Sequence, residues 1–209
     1  MQNDRQPELI IIFTRYPVAG RTKTRLIPLL GSDGAADLQR RMTENALGQV
    51  AQLCRRRPVS VQVWHEGGNP ALMKAWLGPG PAYRPQGPGD LGQKMDRAFR
   101  AAFSEGRPRV VLLGTDCPAL VATIMAKALD LLKQVDVVLG PAADGGYYLI
   151  GLRRPASRLF GDIPWGTELV LARTVARAES LGLATAFLEE LNDVDRPADL
   201  ADFHNYSRP

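Results

Sequence analysis

Arg15, Arg21, Lys23 and Arg25 fall within eleven residues, and no acid occurs anywhere from Leu9 to Ser32. Such a loop, shaped by Pro17 and Gly20, suits phosphate, because guanidinium forks, an ammonium and backbone N–H groups can converge on one anion. It is not a P-loop: that motif needs Gly directly before the Lys and another five residues further back, and Thr22 and Pro17 stand there. Three later segments carry acids in turn-like settings: Gly114-Thr115-Asp116-Cys117-Pro118, Gly140-Pro141-Ala142-Ala143-Asp144-Gly145-Gly146-Tyr147-Tyr148, and Asn192-Asp193-Val194-Asp195-Arg196-Pro197. Asp116 is placed either to hold Mg²⁺ or Mn²⁺ against phosphate oxygens or to cap a turn before Pro118. Asp144 either faces a substrate beside the Gly145-Gly146 pair or sits in a hairpin turn. Asp193 and Asp195 offer a second metal carboxylate or a capped helix start with Pro197 in its first turn. His65 and His204 lie in no dense segment and read as surface or packing residues, and no serine nucleophile motif is present. Chemistry here rests on metal, cations and carboxylates.

These segments need elements to position them. Leu9 to Phe13, Val110 to Leu113 and Val137 to Leu139 are short continuous apolar runs, the signature of strands covered on both faces. Val59 to Trp64, Gly146 to Leu152 and Ala184 to Leu188 read as further strands. Helical stripes run through Leu38, Met42, Ala46, Val50 and Leu53, then Leu91, Met95, Ala98, Phe99 and Ala102. Two more run through Val121, Ile124, Met125, Ala128, Leu129 and Leu132, and through Leu171, Val175, Ala178 and Leu181. The order β-α-β-α-(β)-α-β-α-β-β-α-β-α predicts one α/β domain, a three-layer sandwich around a mixed, mostly parallel sheet. The Pro- and Gly-rich stretch Gly78 to Gly89 is expected to be irregular. In open α/β sheets ligands bind beyond the carboxyl ends of the strands. The chemistry is therefore expected after Phe13, Leu113 and Leu139.

Composition narrows the function classes. The 209 residues are 45% apolar and 23% charged, an ordinary globular mixture. A net charge of +4 permits anionic ligands without the basic excess of a nucleic-acid binder. No apolar run approaches the roughly 18–20 residues that span a bilayer. The polar first eight residues do not resemble a signal peptide, so a cytoplasmic location with no membrane partner is expected. Cys54 and Cys117 match no metal spacing and are expected to be free thiols.

Several motifs together resemble a known bacterial family. They are Phe13-Thr14-Arg15-Tyr16-Pro17-x-x-Gly20-x-x-Lys23-Thr24-Arg25-Leu26, Gln86-x-x-Gly89-Asp90-Leu91-Gly92-x-x-Met95, Gly114 to Pro118, Gly140 to Leu149, Trp165, and Asp193-Val194-Asp195. The family is that of glycosyltransferase-like proteins with the GT-A (nucleotide-diphospho-sugar transferase) fold, some of them linked to arsenosugar biosynthesis. The chain is similar also to guanylyltransferases that activate 2-phospholactate and to molybdenum cofactor nucleotidyltransferases. The resemblance runs from about Leu9 to Phe203. It implies that Arg15, Lys23 and Arg25, with Gly20 shaping the loop, contact nucleotide phosphates. Asp116 would be the principal metal ligand, with Asp195, or less favourably Asp193, as the second. Gln86 and Asp90 would lie near the nucleoside or its phosphates. Asp144, Gly145, Gly146, Trp165 and Thr167 would line the acceptor or sugar pocket. Where the family often has Ser after the late Trp, this chain has Gly166 and then Thr167.

Three functions fit. In glycosyl transfer from a nucleotide-diphospho-sugar to a small acceptor, Mg²⁺ or Mn²⁺ and the cationic loop stabilise the departing diphosphate, and Asp144 is the candidate base. In nucleotidylyl transfer from a nucleoside triphosphate to a phosphorylated acceptor, the acceptor is already ionised, no base is needed, and Lys23 stabilises the reacting phosphate. A non-catalytic nucleotide-binding module is the third. The family resemblance favours the first.

Overall fold

The structure is a computed structural model and describes residues 7–200. Seven strands form one sheet: β1 (Glu8–Arg15), β2 (Val59–Glu66), β3 (Ala82–Pro85), β4 (Val110–Leu113), β5 (Val137–Pro141), β6 (Tyr147–Leu152) and β7 (Thr185–Phe187), in the spatial order β3-β2-β1-β4-β6-β5-β7. β1 runs parallel to β2 and β4, β2 to β3, and β5 to β7. β6 alone is antiparallel, to β4 on one side and β5 on the other. The sheet is therefore mixed and mostly parallel, as the alternating pattern predicts. Five helices connect the strands: α1 (Ile27–Cys54), α2 (Pro70–Leu77), α3 (Leu91–Ser104), α4 (Ala122–Leu131) and α5 (Val170–Ser180).

The continuous apolar runs have their physical reason in two cores. Alternate residues of a strand point to opposite faces. Ile10, Ile12, Val111, Leu113 and Val138 pack with Ala46, Val50 and Leu53 of α1, Met73 of α2, and Ile124, Met125 and Leu129 of α4. On the other face Leu9, Ile11, Phe13, Val110, Leu112 and Leu139 meet Met95, Ala98, Phe99 and Ala102 of α3 and Ala178 of α5. Over Leu9–Phe13, Val110–Leu113 and Val137–Leu139 both faces are dry and carry no polar residue, and the three layers follow.

One local expectation needs correcting. The stretch from Gly78 to Gly89 is not wholly irregular: β3 pairs with β2 through Gln62↔Ala82, Val63↔Tyr83, Trp64↔Arg84 and His65↔Pro85. β3 is an edge strand, where Pro85 is tolerated, and the Tyr83 hydroxyl donates to the Gly78 carbonyl at 2.7 Å. After Asp195 a capped 3-10 turn, Pro197–Asp199, holds Pro197 in its first turn and leads into Leu200, a helical residue, in line with the expected helix start; Phe203 and His204 lie outside the described residues. His65 is buried, with Nδ1 2.7 Å from the Gly67 carbonyl, a packing residue as expected. No helix among the described residues is long and apolar enough to cross a membrane.

Candidate functional site

On one side of β1 the chain proceeds outward to β2 and β3, and on the other to β4. The carboxyl ends of β1 and β4 thus flank a topological switch point, where this class of sheet leaves a crevice. A cavity of about 400 Å³ opens there, lined among others by Arg15, Lys23, Arg25, Glu66, Gln86, Asp116 and Asp195. Two larger hollows, about 820 and 570 Å³, run along the outside of α3 and across the opposite pole of the sheet. Neither is lined by residues of the basic loop or the acidic turns.

The three cations expected to meet phosphate reach the cavity by different routes. Arg15 ends β1; its guanidinium pairs with Glu66 at 3.2 Å and donates to the Arg21 carbonyl at 3.1 Å. Gly20 turns the loop at a positive φ of 76°, a conformation that favours glycine. Thr22 is buried and its hydroxyl donates to the Val18 carbonyl at 3.1 Å, closing the loop on itself. Lys23 follows in the left-handed region, φ 48° and ψ 44°, at the head of a 3-10 turn, Thr24–Leu26. A non-glycine residue held there costs about 1–3 kcal/mol. Its side chain, only 3% exposed, carries the ammonium inward to Asp116 Oδ1 at 2.9 Å, Asp195 Oδ1 at 3.8 Å and the Val194 carbonyl at 2.7 Å. Arg25 stays at the rim and pairs with Asp195 Oδ2 at 2.5 Å.

The two carboxylates thus meet although far apart in sequence. Asp116 lies three residues beyond the end of β4, and its carbonyl accepts the Val194 N–H at 2.8 Å. Val194 is buried among Leu26, Leu38 and Met42, which seats residues 192–195 against the basic loop and α1. Asp193, two residues from Asp195, lies beside Cys117 and does not line the cavity. Its Oδ1 is buried without a hydrogen-bond partner. Burial, with the negative charges of Asp116 and Asp144, raises its carboxyl to about 6. Burial also pushes the Cys117 thiol well above its ordinary range, so this free cysteine is an inert packing group.

Hard oxygen donors suit Mg²⁺ or Mn²⁺, which are commonly held by one or two carboxylates plus phosphate and water. Among the described residues no group of three His, Cys, Asp or Glu side chains forms a closed metal cage. Asp116 and Asp195 do converge on a single cationic point, the Lys23 ammonium. The residues fit a cation that leaves positions open for substrate.

Other expected site residues are placed differently. Gln86 is buried in the cavity wall, donating through Nε2 to the carbonyls of Thr14 and Trp64 at 3.2 and 3.1 Å. Asp90 caps α3: its Oδ1 accepts the Gln93 N–H at 2.8 Å, and the Gln93 side chain returns the bond. Asp144 tops the turn between β5 and β6, with Oδ1 accepting the Gly146 N–H at 2.8 Å; it is exposed and does not line the cavity. Gly145 stands against the backbone of Glu168, and its carbonyl accepts the Leu171 N–H at 2.9 Å. Trp165 lies over Gly92 at the start of α3 and meets Tyr147 edge to face at 6.4 Å. The Thr167 hydroxyl donates to the Pro164 carbonyl at 2.8 Å ahead of α5. The structure thus brings Arg15, Lys23, Arg25, Gln86, Asp116 and Asp195 to one cavity and leaves Asp90, Asp144, Gly145, Gly146, Trp165 and Thr167 off its lining.

Two groups at the cavity escape sequence reasoning. Glu66 ends β2 and its Oε2 is shared by Arg15 and Lys94, both at 3.2 Å. Beneath the loop, Gln39 Nε2 lies 3.2–3.3 Å from the hydroxyls of Thr14, Thr43 and Thr115. The available signal was a polar residue, Gln39, beside Leu38 on the apolar stripe of α1.

Comparison with known proteins agrees with this architecture. A candidate nucleotide-diphospho-sugar transferase from Desulfovibrio desulfuricans G20 is 37% identical, with a TM-score of 0.84 over 90% of this chain and 82% of that one. CMP:2-keto-3-deoxy-manno-octonic acid synthetase, solved with CTP, is 17% identical with a TM-score of 0.57, covering 96% and 98% of the two chains. The 2-C-methyl-D-erythritol 4-phosphate cytidylyltransferase of Thermus thermophilus is 15% identical with a TM-score of 0.57, covering 98% and 100%. The last two share the fold. No curated protein matches the chain significantly. The model of the bacterial family DUF2064, described as "Uncharacterized protein conserved in bacteria", matches residues 49–167, which include Gln86, Asp116 and Asp144. With more than half of its length matched, and with the nucleotide-diphospho-sugar transferase fold around its cavity, the chain belongs to the DUF2064 family.

Proposed function

We propose that this chain is a metal-dependent transferase that binds a nucleotide through its phosphates and uses a nucleotide-diphospho-sugar as donor to a small acceptor. One observation carries the reading: Arg15, Lys23 and Arg25 share a cavity with Asp116 and Asp195 at the switch point of the sheet. Arg15 and Arg25 would grip the diphosphate, and Lys23 would offset the charge that builds on it as the bond to the sugar breaks. Asp116 and Asp195 would hold Mg²⁺ or Mn²⁺, with Asp193 behind them. The ion, when bound, supplies Lewis-acid stabilisation of the diphosphate. Gln86 would bound the nucleoside side of the cavity, and Asp144, above the β5–β6 turn, would approach the acceptor from outside. The relative at 37% identity, itself a candidate nucleotide-diphospho-sugar transferase, supports the choice of donor.

A second reading, nucleotidylyl transfer to a phosphorylated acceptor, is favoured by one specific observation. Each carboxylate lining the cavity faces a cation: Glu66 meets Arg15 and Lys94, Asp116 meets Lys23, and Asp195 meets Lys23 and Arg25. Asp144 stands off the lining, so no free base faces the cavity. A phosphate acceptor needs none. In either case the acceptor would be a small hydroxylated or phosphorylated molecule.

Thermal denaturation with Mn²⁺ and a panel of nucleotide sugars and nucleoside triphosphates tests both readings. A ligand that binds only the native state raises the midpoint, by about 2.7 kcal/mol of stabilisation at a hundredfold excess over Kd. Preferential stabilisation by a nucleotide sugar supports the first reading, and by a triphosphate the second. No shift with any nucleotide would sink both.

A further inference from the structure

We infer that Lys23 is the resident counter-cation of the Asp116–Asp195 pair and must leave it for the nucleotide phosphates when a divalent ion enters, so that metal and nucleotide bind this chain as a coupled pair. The inference deepens the nucleotide-transferase reading and rests on it. Its ground is a competition for one place. The ammonium lies 2.9 Å from Asp116 Oδ1 and 3.8 Å from Asp195 Oδ1. A divalent ion bound to the same oxygens sits about 2.0–2.1 Å from each. Two cations cannot share that space without strong repulsion.

The ammonium cannot simply be expelled either. It is almost wholly buried, and a buried charge stripped of its partners is costly. Its third contact, the Val194 carbonyl at 2.7 Å, belongs to the backbone and does not compete with metal. Lysine is a compact charge on a flexible stem, so the ammonium can swing about this carbonyl toward the cavity that Arg15 and Arg25 also line. A phosphate there replaces the carboxylate that the ion has taken.

The consequence is reciprocal. Metal alone must displace Lys23 with no anion to receive it. Nucleotide alone meets a lysine already neutralised by Asp116. Each ligand removes the other's obstacle, and the coupling acts equally in both directions. Lys23 would then have opposite effects on the two ligands: it strengthens nucleotide binding and weakens binding of metal alone. A lysine that only contacts phosphate has no such second effect.

The test counts free Mn²⁺ by electron paramagnetic resonance in titrations of the full chain. It uses the wild type and Lys23→Met, without nucleotide and with a saturating nucleoside diphosphate (CDP and UDP in parallel), corrected for Mn²⁺ bound to free nucleotide. The wild type is expected to bind Mn²⁺ weakly alone and about tenfold or more tightly with the effective diphosphate, within the 5–150-fold range usual for coupled sites. Lys23→Met is expected to bind Mn²⁺ alone about tenfold more tightly than wild type and to gain clearly less from nucleotide than the wild type does, keeping only the gain from direct contact between ion and diphosphate. Unchanged or weaker Mn²⁺ binding in a folded Lys23→Met overturns the inference. If that variant does not fold by circular dichroism, the wild type decides: Mn²⁺ and nucleotide binding independently, within twofold, also overturns it while leaving the transferase reading intact. Failure of the wild type to bind nucleotide in any combination overturns both.

Discussion

Gly145→Ala separates two meanings of the Gly145-Gly146 pair. The motif suggests a pair left bare for a substrate, whereas the structure sets Gly145 against protein backbone. A Cβ at Gly145 would lie 2.2 Å from the Glu168 carbonyl oxygen and 2.7 Å from its carbon, at a φ of +86°. The left-handed conformation costs an alanine about 1–2 kcal/mol, and a clash with backbone that must shift adds about 1–3 kcal/mol. A loss of about 2–5 kcal/mol is expected. In a chain of this size each kcal/mol moves the midpoint by about 2–4 °C, so Tm should fall by about 4–20 °C in a circular-dichroism melt. The segment displaced carries Trp165, which leans on Gly92 and Tyr147, so tryptophan fluorescence should change as well. Gly146→Ala is the control. Its Cβ would meet only the Asp144 carboxylate, with Oδ1 at 3.0 Å and no positive φ, and its Tm should move by less than about 3 °C, as for ordinary surface changes. Should Gly145→Ala melt within about 2 °C of wild type yet lose nucleotide or acceptor binding, the packing account is wrong and the glycine faces ligand.

Asp116→Asn should lower turnover at least a hundredfold in protein shown to be folded by circular dichroism, with some loss of Tm because the buried Lys23 ammonium loses its nearest carboxylate; unchanged turnover at saturating nucleotide would remove Asp116 from the mechanism. Asp136 is buried, and hydrogen bonds from Arg154 and Arg153, with the Ala184 N–H, hold its carboxyl far below the usual carboxylate range. A depressed folded-state pKa gives stability that is present above the unfolded value near 3.9 and is lost as pH falls below it. Urea melts at pH 6 and pH 3 should therefore show Asp136→Asn losing about 1 kcal/mol less than wild type on acidification, a modest figure because Arg154 is half-exposed; parallel losses would refute the assignment. Gln39→Leu should cost about 1–3 kcal/mol in the same melts, since the Thr14, Thr43 and Thr115 hydroxyls lose a buried donor. A neutral effect would mean that those hydroxyls re-pair among themselves.

The central strands were legible because burial on both faces leaves a mark in composition: Leu9 to Phe13 and Val110 to Leu113 have no polar side to interrupt them. β3 left no such mark. Its residues are half-exposed, and its order comes from pairing with β2, a long-range effect that local propensity does not contain. The basic loop and the acids at strand ends were legible for a chemical reason, since unpaired charge of one sign beside a buried strand needs an explanation. How those charges are matched was not. Nothing local to Lys23 says that its ammonium goes inward while Arg25 stays at the rim. Asp90 and Thr167 show the opposite failure. Both sit in motifs that suggest ligand contact, and both are engaged in ordering the starts of α3 and α5. A capping acid and a ligand-binding acid look alike in sequence because both follow a glycine-rich turn and precede a helix.

Val194 joins three remote stretches through a single residue: its N–H to Asp116, its carbonyl to Lys23, and its side chain between Leu26, Leu38 and Met42. On the ribosome this imposes an order. Lys23 and Asp116 emerge early, and the parallel core around β1 and β4 has its strands before residue 194 is translated. Until that residue arrives, the lysine has an acidic neighbour but no carbonyl to turn about, and Leu26 and Met42 have an uncovered apolar patch. A nucleotide that used this cavity could therefore stabilise the polypeptide only once Val194 and Asp195 had joined it.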